Sequence, residues 1–146
     1  MADIHTLSDR MLVKVVANHA ITAATTAETV IDCLGYTRAC MILTSTPSGS
    51  GTTLNATLTE GALANGSDQA AVTTGFNFTT ASFTQTSTVT GNQVQMMNID
   101  LSYRLRYLSL STVGAGGSAA GTVTAVLVLF NGEGQPPTQQ LTAVTL

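Results

Sequence analysis

Apolar and polar residues alternate in short runs along most of this chain, and Gly, Asn, Ser and Pro separate the runs. Alternation of period two puts successive side chains on opposite faces of an extended strand. No segment sustains the i, i+3, i+4 apolar spacing of an amphipathic helix together with strong helix formers and caps. Thr and Val, which favour strands, carry the pattern with Ala. The pattern predicts an all-β fold, an antiparallel sandwich or barrel.

The strongest strand is residues 122–130, TVTAVLVLF, which is apolar enough on both faces to predict a central or an interface strand. Residues 39–45, ACMILTS, are predicted to be buried on both faces or nearly so. Residues 53–60, TLNATLTE, alternate cleanly and predict a half-exposed strand. Further strands are predicted at 11–17, where Leu12 and Val15–Val16 seek cover, and at 28–33, 93–101 and 105–111. Residues 20–27 read as a small-residue linker, and Leu34-Gly35-Tyr36 as a turn. Residues 47–51, 65–68 and 114–121 read as loops or turns. Phe76, Phe78 and Phe83 lie in a Thr-rich, nearly uncharged stretch over 70–90. They read either as core aromatics of edge strands or as anchors into a partner.

With 146 residues, the chain predicts one sandwich domain over 11–130, flanked by arms at 1–10 and 131–146. The C-terminal arm combines Pro136-Pro137, which stiffens an extended connection, with an apolar tip at Leu141, Val144 and Leu146. Such a tip predicts docking on a neighbour, or a return to the chain's own core. Ile4 and Leu7 are the matching candidates in the N-terminal arm.

Charge is scarce. Only 9% of residues are charged, the net charge is −3, and Lys14 is the single lysine. A nucleic-acid binder needs a clustered basic face, and a polybasic membrane-surface protein needs one too. Neither class fits. The surface is instead rich in hydroxyls, from 26 Thr and 11 Ser. The first ten residues lack a basic region before an apolar stretch, so synthesis and residence in a cytoplasm are expected. No apolar run reaches the ~20 residues of a membrane helix.

Catalysis needs converging titratable groups. Here they are scattered singly, without a nucleophile elbow, a zinc-protease motif or a phosphate loop. No enzyme activity, cofactor or metal is expected. Cys33 and Cys40 lie at a spacing that matches no familiar zinc or redox motif, and read as free buried thiols, with a local disulfide as the alternative. His5 and His19 read as structural histidines rather than pH sensors. Asp100 is expected to pair locally with Arg104 or Arg106, and Asp32 with Arg38; Arg104 and Arg106 are also the best candidates for polar contacts to a partner.

Two segments carry a resemblance. Residues 29–45, TVIDCLGYTRACMILTS, place a short strand, a Gly-Tyr turn and a hydrophobic strand in succession. Residues 97–130 place an Ile-Asp-Leu turn before an Arg-Tyr-Leu strand, a small-residue loop and a Val/Ala-rich strand. Together they resemble the small auxiliary proteins of tailed-bacteriophage heads, which decorate or cement the capsid. The resemblance implies a β-sandwich of jelly-roll type, commonly a homotrimer, that clamps neighbouring major capsid protein subunits on the outside of the virion. The alternatives are another phage structural subunit (head fibre base, tail or adaptor) and a carbohydrate-binding or adhesin-like sandwich. The last needs a ridge of exposed aromatics, and the chain has no Trp and only Tyr36, Tyr103 and Tyr107.

Overall fold

The computed structural model describes residues 11–46, 48, 52–72, 82–86, 93–115 and 120–130. They form ten strands: β1 (Met11–Ala20), β2 (Thr26–Ala27), β3 (Ile31–Asp32), β4 (Arg38–Ser45), β5 (Thr53–Gly61), β6 (Ala70–Ala71), β7 (Ser82–Thr86), β8 (Gln93–Asp100), β9 (Tyr107–Ala115) and β10 (Thr122–Phe130). A 3₁₀ turn, Leu101–Tyr103, joins β8 to β9. One sheet runs β1-β10-β4-β8. In the other, β9 and β5 are central, with β2 and β3 sharing the free edge of β9 and β6 and β7 sharing that of β5. Each pair of short strands therefore occupies one strand position. All pairings are antiparallel, and the strands follow the order of an eight-position jelly roll, crossing between the sheets at every step except β5 to β6 and β7. The fold is an all-β antiparallel sandwich.

Alternation builds the core. Ala39, Met41 and Leu43 of β4, with Val123, Ala125, Leu127 and Leu129 of β10 beside them, face Leu54, Ala56 and Leu58 of β5 and Leu108 and Leu110 of β9; all are buried. The opposite faces of β4 and β10 are half-buried rather than closed. That corrects the expectation of burial on both faces. β10 is central, between β1 and β4, but among the described residues no second layer covers its outer side.

Two further expectations are corrected. The predicted strand over 28–33 shrinks to Ile31–Asp32, and Thr26–Ala27, at the end of the predicted linker, pairs with β9 as well. Between them the Thr29 amide turns away to donate to the Val16 carbonyl of β1 at 3.1 Å. Val15 does not seek cover, because a bulge between Val15 and Ala17 buries Val16 and Ala17 together and leaves Val15 outside. The bulge also reverses the parity of the strand. His19, which simple alternation from Val15 would turn outward, instead sits opposite the buried Val123 and faces the second sheet.

Glycine is required at one turn and gives close approach at a second position. Gly35 has φ +85 in the β3–β4 turn, a left-handed conformation that L side chains rarely adopt. At Gly61, an added Cβ would lie 2.5 Å from Asp68 Oδ1. That carboxylate accepts from the amides of Ala62 and Leu63, at 2.7 and 3.2 Å, and so holds the loop after β5.

Candidate interaction surfaces

One end of the sandwich is built from the turn at 33–37, the loop at 61–69 and the corner at 101–106. Backbone bonds tie the first of these to the last: Cys33 N donates to the Arg106 carbonyl at 2.9 Å, and Leu101 N to the Thr37 carbonyl at 3.0 Å. Three ion pairs brace this end, and none is the local pair expected from sequence. Arg106 forks onto Asp32 at 2.9 and 2.6 Å, because Asp32 is opposite Tyr107 in the β3–β9 register. Arg38 faces Asp100 at 3.7 Å, as the β4–β8 register dictates. Arg104 reaches Glu60 at 3.4 Å, and the other oxygen of Glu60 accepts from the Leu105 amide at 2.9 Å. Strand register, not proximity in sequence, chose the partners.

The electrostatics follow the geometry. The Arg106 guanidinium holds the Asp32 carboxyl below the usual carboxylate range. Asp100 is held down first by the Ser102 amide and only weakly by Arg38. Arg106 also lies 5.0 Å from the centre of the Tyr107 ring. The Arg106–Asp32 and Arg38–Asp100 pairs are solvent-exposed and add little net stability. Their effect is to fix the corner, from which Leu34 and Tyr103 project at 67% and 66% exposure, with Leu63 and Leu105 also exposed.

A second surface is the outer face of the four-stranded sheet. Val15, Val126, Ile42 and Met96 stand side by side in register, one from each strand. Val13, Val128 and Cys40 form the adjoining row. Val15, Val94 and Met96 are 56%, 60% and 69% exposed. Lys14 lies on the opposite side of β1, in register with the buried Leu127, so charge enters this face only at its Arg38–Asp100 corner.

The sequence-predicted contact residues divide unevenly. Ile4, Leu7, Phe76, Phe78, Pro136, Pro137, Leu141, Val144 and Leu146 lie outside the described residues. Phe83 is in β7, at a sheet edge, opposite Ala56 of β5. Arg104 has a largely covered side chain engaged with Glu60, whereas Arg106 remains about half exposed. Sequence reasoning missed Leu34, Leu63, Tyr103 and Leu105. Their signal was an apolar residue in a turn, where no strand partner can cover it.

Between the sheets lies a polar cluster that sequence reasoning left as a lone structural histidine. His19 Nδ1 donates to the Ala20 carbonyl at 2.7 Å, and Nε2 faces Glu28 Oε1 at 2.7 Å. Thr112 donates a short bond to the same carboxylate oxygen, and Ser109 Oγ donates to the Glu28 carbonyl at 2.9 Å. The Glu28 side chain is only 5% exposed. Among the described residues, no group of three or more His, Cys, Asp and Glu is placed to hold a metal ion, and no helix is long and apolar enough to cross a membrane.

Cys33 and Cys40 are free thiols on opposite sides of the fold. Cys33 faces the core, where burial pushes its thiol up to about 12. Cys40 is half-buried on the outer sheet face. In the folded, unassembled chain, a maleimide is therefore expected to modify Cys40 alone, with Cys33 reacting only after unfolding. Equal labelling of both in the native state would contradict this packing.

No protein-family model matches the chain, and a search of curated proteins finds no match. Solved structures do match. PBSX exported protein XepA is similar over all of this chain and 46% of its own, at 14% identity and a TM-score of 0.56. That likeness is one of fold. The chain spans less than half of XepA. The SPBc2 prophage-derived protein YomS is similar over 82% of this chain and 91% of its own, at 15% identity and TM-score 0.46. A subunit of the disulfide-linked pili of Bacillus endospore appendages covers 85% and 90%, at 11% identity and TM-score 0.48.

Proposed function

We propose that this chain is a structural virion protein that binds the outside of an icosahedral phage head and cements neighbouring major capsid protein subunits. The observation that carries the reading is a jelly roll whose surfaces are suited to contact rather than chemistry. It combines a sheet face crossed by an uncharged apolar row with a loop end from which Leu34 and Tyr103 project. The resemblance of residues 29–45 and 97–130 to phage auxiliary head proteins points the same way. So does the fold shared with XepA, an exported protein of PBSX.

Low charge suits this role, because buried unpaired charges are penalised in extensive interfaces. The arms at 1–10 and 131–146, with Ile4, Leu7, Pro136, Pro137, Leu141, Val144 and Leu146, strap onto neighbours. Phe76, Phe78 and Phe83 serve as anchors, with Arg104 and Arg106 as polar contacts. The working unit is a homotrimer. Repetition over a symmetric shell converts modest single-site affinity into avidity. Preferential binding to the expanded shell stabilises it by linkage.

The test adds the purified full chain to heads lacking it, in precursor and expanded forms. Saturable binding to expanded heads, with a raised rupture temperature, is expected. Equal binding to both forms, or none to either, contradicts the proposal.

A further inference from the structure

The outer face of the β1-β10-β4-β8 sheet carries one apolar row across all four strands, bordered by Asn98 on one side and by Asn18, Thr124 and Thr44 on the other, and no described segment covers it. Its central row, Val15, Val126, Ile42 and Met96, carries no charge. A charged occupant gains nothing there, and an uncharged one loses little solvation. The chain itself supplies such an occupant. Beyond Phe130, the last residue of β10 in this same sheet, residues 131–146 hold Glu133 as their one charged side chain and include the apolar stretch 141–146, LTAVTL. An extended chain of that length reaches roughly 50 Å, whereas four strands at ~4.8 Å spacing are only about 15 Å across. The Pro136-Pro137 pair favours an extended exit over a tight return. Among the described residues of this face, Met96 and Val15 are both more than half exposed.

We infer that this face receives the apolar tip at residues 141–146 of a second copy. The contact is heterologous: the tip of one protomer meets the sheet of the next, so it closes into a ring or runs on as a filament. The inference stands on this chain's own residues and holds whichever particle the protein joins.

Complementation between two full-length variants tests it by sedimentation. The face variant carries Val15→Lys and Met96→Lys, both at exposed positions, and keeps its tip. The tip variant carries Leu141→Asp, Val144→Asp and Leu146→Asp, and keeps its face. Wild type is expected to sediment as a multimer and each variant alone as a monomer with the wild-type melting midpoint. Their mixture is expected to form a one-to-one pair, twice the chain mass. Cys40 of the tip variant, beside Val128 on its receiving face, is expected to lose maleimide reactivity in that mixture, while Cys40 of the face variant keeps it and both react in each variant alone. If the face variant melts early, Val94→Lys at the rim of the same face replaces it. A monomeric wild type overturns the inference. So does a tip variant that still assembles, which would mean face-to-face packing, or a mixture that stays monomeric.

Discussion

Leu127→Ala is expected to lower the unfolding free energy by about 2–5 kcal/mol, the range for deleting a fully buried Leu side chain. Leu127 is 0% exposed on the central strand β10, with strands hydrogen-bonded on both sides and the opposing sheet across the core. No loop can collapse into the space, so the cavity persists and the cost belongs in the upper part of that range. With typical domains stable by only about 5–15 kcal/mol, the variant should be markedly less stable. Urea denaturation followed by circular dichroism measures it. Val126→Ala, the neighbouring residue on the outer face, serves as the control and should cost much less. Equal losses at the two positions would contradict the assignment of inner and outer faces.

The second large effect lies at Glu28. Both His19 nitrogens face acceptors, a carbonyl and a carboxylate, so only the doubly protonated ring satisfies both. The Ala20 carbonyl first, and Glu28 second, raise the pKa of His19 above its ordinary value. The stability this contributes is fully present below the unfolded value of about 6.5 and is lost as pH rises through the higher folded value. Asp32 and Asp100 are shifted downward, so their contributions fall away only in acid, as pH drops below about 4. Between pH 6 and 9, stability should therefore decline with a slope that His19→Gln removes. Glu28→Ala should cost about 1.5–3 kcal/mol, the range for hydrogen bonds to a charged group, because it strips His19 and Thr112 of their shared acceptor. Thermal melts across that pH range read both effects. A wild-type profile that is flat, or that rises with pH, would contradict the clasp.

Legibility in sequence depended on how local each feature is. β4, β5, β8 and β10 stood out because each is a run of eight or nine residues whose own pattern specifies its faces. β2 and β3 did not, since two-residue strands exist only through their pairing with β9. The bulge at Val16 left no mark in the period, yet it decides that His19 meets Glu28. The ion pairs were misassigned because nearness along the chain is a poor guide to register. The open sheet face was misread for a related reason. An apolar outer face on β4 and β10 says that something covers it, but not whether the cover belongs to the same chain.

The central claim, a structural protein of the phage head, is tested most directly by counting this chain against the major shell protein in gradient-purified particles. The expected result is a fixed ratio at or near a simple fraction of the shell protein, amounting to hundreds of copies per head. A handful of copies, or none, would contradict it.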